Sequence, residues 1–371
     1  MPCGSTPTGL HDARYVGLSL DVGRKAFHPG AVIGLIRRMA ELGFTALHLH
    51  LTETHRVGVQ LPGFEHLAAP DAWDAEDAAQ IVRAADAAGI ALIPEIDLPS
   101  HAGALLAGRE HLHLRDRTGA VHPDRLDISH PEALELALAL TESAARMFPG
   151  EAIHLGGDEF FAAPWEDEEA QRADRFPSLV EHARAVAGPE STALDSYALF
   201  MNALAERALE RGQIPLLWND HIVPAREHPQ VPITREAVVD VWIRWREWTP
   251  SVTDYLDSGH RVINSHGDQL YFVLSADGVP EPHGRRRFGL LADTFHPRRF
   301  MGLAAQDVHV EIPPVPVGEA DPVLGASLSV WCDAPEVLGE RETFALLDTW
   351  LVPFARIMHR VRPTRGQASG T

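Results

Sequence analysis

Residues 153–161 read IHLGGDEFF: an apolar run, two glycines, then the adjacent acids Asp158 and Glu159. Two carboxylates at a strand end suit acid/base work on a sugar acetal, where an acid must protonate the leaving oxygen. Neighbouring side chains of an extended strand point to opposite faces. Both acids can therefore share a pocket only where the strand is curling into its loop, a departure that Gly156 and Gly157 permit. An acid pair alone says little in a chain of which 23% is charged. Its company says more. Other short apolar runs also end in polar or aromatic residues: Asp21 and Arg24; His48, His50 and Glu53; Glu95, Asp97 and His101; Trp218, Asn219 and Asp220; Trp242; Trp331 with Asp333.

The elements that must position these residues are β-rich runs alternating with helical patterns. The runs are YVGLSLD (15–21), TALHLHL (45–51), IALIPEID (90–97), AIHLGGDE (152–159), IPLLWND (214–220), AVVDVWI (237–243), HRVINSH (260–266) and LGASLSVW (324–331). Helices are expected from Pro29 onward, near 74–88, over 131–147 behind a Ser-His-Pro-Glu start, near 191–211 and near 336–359. Alternating strands and helices imply a parallel sheet covered by helices. Eight such units predict an α/β chain with a single (β/α)8 TIM barrel over 15–360, whose chemistry collects at the C-terminal ends of the strands. The competing open doubly wound sheet lacks its dinucleotide fingerprint, since DVGRKAF holds one glycine. Residues 1–14 and 361–371 are expected to be disordered.

The formal net charge of −20 argues against nucleic acid or an anionic membrane as partner. Two cysteines, Cys3 and Cys332, form no disulfide framework. No leader is visible in MPCGSTPTGL, so a cytoplasmic location is expected. Oligomeric state is not legible.

HLGGDE, with LSLDVGR, LHLHLTE, IPEIDLPSHAGAL, LLWND, DVW and GASLSVW, resembles family 20 of the glycoside hydrolases, the β-N-acetylhexosaminidases. The resemblance runs from about residue 18 to 331 and is similar to compact single-domain members that cleave poly-β-1,6-N-acetylglucosamine. It implies a retaining hydrolase of β-linked N-acetylhexosamine, GlcNAc or GalNAc, in oligo- or polysaccharides, with neither metal nor cofactor. Glu159 would be the general acid/base. Asp158 would hold the acetamido N–H while the acetamido oxygen attacks the anomeric carbon. Arg24 would grip the 3- and 4-hydroxyls, and Trp218, Trp242 and Trp331 would wall the acetamido pocket. His101 would link Glu159 to Glu53, where the family usually has aspartate, and keep the acid able to donate its proton; His154 supports the motif.

Two further departures stand out. Asp333 occupies the place of a glutamate that meets the 4- and 6-hydroxyls. Gln269 aligns with the tyrosine that holds the acetamido oxygen, while Tyr271, two residues on, could reach the same pocket.

Two other readings compete. His48 and His50 share a strand face at metal-ligand spacing, as in metal-dependent amidohydrolase barrels, although they read equally as hydrogen-bonded core histidines. Gln269 suggests a non-catalytic sugar-binding barrel, against which the intact acid pair weighs. The remaining features read as structural: His111 and His113 as solvated loop residues, Trp245 and Trp248 as helix packing, Cys332 as a small buried hydrophobe, and 165–175 and GRRRF (284–288) as surface.

Overall fold

In the computed structural model, residues 7–162, 172–223, 229–244, 246–277, 282–302, 309–316 and 318–361 are described. Eight parallel strands close into a barrel: β1 (Tyr15–Asp21), β2 (Ala46–His50), β3 (Ala91–Glu95), β4 (Ala152–His154), β5 (Ile214–Trp218), β6 (Val238–Val241), β7 (Arg261–Asn264) and β8 (Val323–Trp331). They pair in chain order, and β1 hydrogen-bonds to β8 to shut the ring. All eight runs read from the sequence are strands, so the (β/α)8 architecture stands.

The helices begin where the local chemistry starts them. Pro29–Glu41 follows His28, whose ring accepts from Gly30 N–H. Ala75–Ala88 opens with a capping box between Asp74 and Asp77 and stops at the left-handed Gly89, a residue that reaches that conformation without a Cβ penalty. Pro131–Met147 follows the His130 cap, Ala193–Glu210 a Thr192–Asp195 box, and Glu340–Val361 ends the described chain. The helices Pro177–Ala187 and Pro282–Thr294 were not anticipated. No helix among the described residues is long and apolar enough to cross a membrane.

Strand alternation sorts the side chains. Val16, Leu18, Leu20, Leu47, Leu49, Leu217, Val239 and Leu328 belong to the main core shared with the helices. The other face packs inside the barrel: Tyr15, Ala46, Ala91, Ile93, Ala152, Leu216, Val238 and Ile263 make an apolar cluster. Towards the C-terminal ends of the same strands the buried residues turn polar, with His48, His50, Glu95, His154 and Asp240 among them. The apolar layer is the support and the polar layer carries the site.

The segment before β1 departs from expectation. Residues 7–14 are ordered against the barrel: Thr8 and Leu10 are fully buried, and Thr8 N–H donates to Glu151 at 2.6 Å. Leu10 joins the interior apolar cluster, which gives the segment a reason to stay folded. Residues 1–6 and 362–371 lie outside the described residues, as do most of 165–175 and Trp245. Leu10→Ala should cost about 2–5 kcal/mol of stability, as for other buried leucines, read from the urea midpoint; a change within ~0.5 kcal/mol would show that the plug contributes nothing.

Candidate active site

β4 stops at His154, and the chain then leaves strand geometry at once. Gly156 and Gly157 have φ of +74° and +104° and Glu159 +55°. A Cβ on Gly156 would lie 2.1 Å from Asp97 Oδ1, and one on Gly157 would lie 2.5 Å from the Tyr197 hydroxyl. Only glycine fits either place. The turn is pinned by Tyr197, whose hydroxyl donates to Gly157 O at 2.8 Å, and by Ser100 Oγ, which donates to Asp158 O. Asp158 and Glu159 thereby face one cleft of about 330 Å3, as the twin glycines suggested.

The cleft also collects Arg24 and Asp333, Glu53, Asp97 and His101, Trp218, Trp242, Tyr271 and Trp331. Its aromatic walls contact one another. Tyr271 stacks on Trp242 with ring centroids 6.2 Å apart and meets Trp331 edge-on at 5.7 Å, while Trp331 lies 6.0 Å from Trp218. Arg24 sits over the Trp331 ring at 5.6 Å, a favourable place for a cation.

A chain of charges runs through the polar side. Arg24 pairs with Asp21 at 2.9 Å and with Glu53. Glu53 also meets His101 Nδ1 at 2.7 Å. His101 Nε2 lies 3.5 Å from Glu159 and 3.7 Å from Asp158. Burial disfavours the His101 cation, yet Asp97, Asp158, Glu159 and Glu53 together push its pKa well above the usual histidine range. Burial would likewise raise Glu53, but the bond and charge of His101, then Arg24, hold it well below the ordinary carboxylate. His101 thus bridges Glu53 through one ring nitrogen and the acid pair through the other. Asp158 is pushed up to about 6, by burial first and then by the Glu159 and Glu95 charges, against the opposing charge of His101. Its Oδ1 is buried without a hydrogen-bond partner among the described residues, an acceptor that an incoming N–H would satisfy.

Beneath the cleft lies Glu95, fully buried. Trp218 Nε1 donates to it at 2.8 Å, and His154 Nδ1 and His48 Nε2 each lie 3.0 Å from its oxygens. His50 Nδ1 completes the set. Burial favours a neutral Glu95, but the three histidines hold its pKa well below the usual value, whereas burial lowers His154 to about 4. His48, Glu95 and His154 could in principle hold a metal ion. The hydrogen bonds to Glu95 come from Trp218 Nε1–H and from His50 Nδ1, so this chain alone gives each of its oxygens a partner, which suits the core reading of these residues.

Gln269 is not in the cleft. β7 ends at Asn264, a one-turn helix follows over Gly267–Leu270, and a separate short strand, Tyr271–Val273, pairs with the end of β8. Gln269 is buried and donates to Thr294 Oγ1 at 3.2 Å, whereas Tyr271 lines the cleft. Burial raises the Tyr271 phenol well above its usual pKa, which keeps it a hydrogen-bond donor. The rim residues Ser275, Asp277 and Arg287 were not picked out from sequence, and Arg287 brings the GRRRF stretch to the cleft. Asp333 stands exposed at the same rim. His111 is solvated and pairs with Glu132 at 3.0 Å, but His113 starts a short strand with Leu114 and Arg115.

A closed barrel whose C-terminal rim holds an acid pair, an aromatic box and an arginine defines a carbohydrate-active (β/α)8 protein. The description "Glycosyl hydrolase family 20, catalytic domain" matches residues 14–335, and the chain belongs to that family. A β-N-acetylhexosaminidase from Cellulomonas fimi is 27% identical over 226 residues, 56% of this chain and 43% of that protein. A lacto-N-biosidase from Bifidobacterium bifidum is 28% identical over 167 residues, 45% of this chain and 14% of that one. The chain thus spans less than half the length of these relatives. Dispersin B shares the fold with a TM-score of 0.68 at 18% identity, over 93% of this chain and 98% of that chain. The pneumococcal protein StrH gives 0.70 at 19%, over 94% and 84%.

The crowded acids predict a stability trade. The folded pKa of Asp158, about 6, exceeds its unfolded value of ~3.9. Its ionised form is thus penalised by folding, fully above pH 6 and less as pH falls towards 4. Asp158→Asn should raise the melting temperature at pH 8 by at least about 2 °C, and the gain should fade at pH 4. A gain independent of pH, or none at pH 8, would refute the buried-charge account.

Proposed function

We propose that the chain is a retaining β-N-acetylhexosaminidase that works by substrate assistance. The observation that carries this reading is the convergence of Asp158 and Glu159 on a cleft walled by Trp218, Trp242, Trp331 and Tyr271. Indole faces suit the C–H face of a pyranose, and an apolar box suits an acetamido methyl. Arg24, fixed by Asp21 and Glu53, is placed to hold ring hydroxyls.

In the proposed reaction the acetamido group supplies the nucleophile. The Asp158 carboxylate accepts its N–H, and the Tyr271 hydroxyl donates to its oxygen. That oxygen attacks the anomeric carbon as Glu159 protonates the departing glycosidic oxygen, giving an oxazolinium ion and the free aglycone. His101, whose Nε2 lies 3.5 Å from Glu159, can donate to the new carboxylate. Water then attacks the anomeric carbon, Glu159 takes its proton, and the ring-opened acetamido leaves a product of retained configuration. Because the substrate provides its own nucleophile, the usual spacing rule for paired carboxylates does not apply. The substrate class is β-linked GlcNAc or GalNAc, in poly-β-1,6-N-acetylglucosamine or short oligosaccharides.

If Glu159 is the proton donor, Glu159→Gln should lose several orders of magnitude on a glycoside with a poor leaving group. A nitrophenyl glycoside needs less protonation and should lose far less. Equal losses on the two would contradict the assignment.

The acetamido oxygen must stay aimed at the anomeric carbon, and a misplacement of about 1 Å can cost ~100-fold. Tyr271→Phe should therefore lower kcat on an N-acetyl aryl substrate by about that factor. Gln269→Leu, outside the cleft, should leave the rate within about threefold while costing some stability from the lost Thr294 bond. The reverse pattern would return the role to Gln269.

A further inference from the structure

Asp220 lies two residues beyond β5 in LLWND, and the proposed reaction does not use it. Its two oxygens hold two different parts of the site. Oδ1 accepts the backbone N–H of Glu159 at 3.3 Å. Oδ2 accepts the indole N–H of Trp242 at 2.7 Å. Both partners need holding. Glu159 has a left-handed φ of +55°, which a residue with a side chain keeps only when its surroundings fix it. Trp242 has its backbone anchored by the neighbour of Asp220: Asn219 Oδ1 accepts from Trp242 N–H at 2.9 Å, and Asn219 Nδ2 donates to Ile243 O at 3.0 Å. Asn219 thus fixes where the Trp242 backbone runs, while Asp220 fixes its ring.

We propose that Asp220 is a positioning residue that ties the backbone of Glu159 to the ring of Trp242, so that one side chain sets both the proton donor and a wall of the acetamido pocket. The proposal rests on Glu159 being the proton donor. Ionisable groups face Asp220 from several elements. Asp158 and Glu159 face it from the β4 loop, Tyr197 from the helix Ala193–Glu210, and Tyr255 from the helix Val252–Asp257. Burial and the Asp158 charge push its pKa well above the carboxylate range, against the Trp242 and Glu159 N–H bonds. Asparagine copies the shape of the side chain but has one acceptor oxygen where the Asp220 carboxyl uses two. It should therefore keep one tie and lose the other, whereas alanine loses both.

The test is steady-state kinetics of wild type, Asp220→Ala and Asp220→Asn on two aryl N-acetyl-β-glucosaminides. One carries a poor leaving group and the other a dinitrophenyl group. A misaimed acid matters most where protonation is most needed. Asp220→Ala should lose about 100-fold in kcat on the poor leaving group and less than about tenfold on the activated one. KM should rise on both as the Trp242 ring loosens, and Asp220→Asn should fall between wild type and Asp220→Ala. In a Trp242→Phe background, Asp220→Ala should raise KM by a smaller factor than in wild type, because residues acting through one contact are not additive. Equal kcat losses on both substrates, or fully additive KM effects, would overturn the proposal. If circular dichroism shows Asp220→Ala unfolded, Asp220→Asn decides alone: an intermediate, leaving-group-dependent loss supports the tie, and wild-type kinetics overturn it. A wild-type chain inactive on both substrates removes the underlying reading of Glu159, whereas an active wild type with unaffected Asp220 variants removes this proposal only.

Discussion

The carboxylate of Glu95 is the contact on which the site's architecture turns. It is buried at the centre of the barrel, where an isolated charge would be prohibitively expensive. Four neighbours offset that cost: His48 and His50 from β2, His154 from β4 and the indole N–H of Trp218 from β5. Removing any of them would leave a buried charge short of a partner, which usually costs more than the contact itself contributes. The same four contacts fix the direction of Trp218, the floor of the cleft, and the place where β4 gives way to the glycine turn. Rigidity below is what lets strained residues persist above.

The cleft is a problem in charge balance. Asp97, Asp158, Glu159 and Asp220 come from three strand ends into one partly dry space, beside the basic side chains Arg24, His101 and Arg287. Like carboxylates at such range cannot all ionise, so protons are shared out by environment. Burial and the nearby Asp158 charge raise the pKa values of Asp97 and Asp220, while the hydrogen bond and charge of His101, then Arg24, hold Glu53 well below the ordinary carboxylate range. Because Glu53 binds Arg24 and His101 alike, the arginine and the histidine beside Glu159 share one anchor. In the proposed reaction that anchor would link sugar binding to proton transfer through a single side chain.

Much of this was legible from sequence, for identifiable reasons. Barrel strands buried on both faces leave strong apolar runs, and all eight were found. Strand-end residues project into one space, so Arg24, His101, Asp158, Glu159 and three tryptophans could be grouped without coordinates. What was missed has no periodic signature. The segment before β1 reads as polar, yet the burial of Leu10 depends on a barrel floor that no local pattern encodes. Ser275 and Asp277 reach the rim from the segment that follows the Tyr271–Val273 strand, and Arg287 from the helix Pro282–Thr294, placements that are tertiary. How many carboxylates surround His101 is likewise something that spacing cannot count.

The case of Gln269 shows where linear alignment fails on physical grounds. HRVINSH reads as a strand over 260–266, and linear alignment puts Gln269 just beyond it in the place of the family's tyrosine. Instead β7 ends at Asn264, where Asn264 Nδ2 donates to Arg299 O at 3.1 Å, and Gly267 N–H donates back to Trp242 O at 2.8 Å. The chain thereby spends one helical turn crossing above the barrel before Tyr271 pairs beside Ser329 of β8. That turn buries Gln269 on the helix side and delivers the phenol flat against Trp242. A tyrosine on a strand hydrogen-bonded to β8 is held by backbone pairing as well as by its ring contacts, a firmer mount than a loop. The aromatic box is therefore closed by a strand added on top of the barrel, and its fourth wall moves with β8, which also carries Trp331.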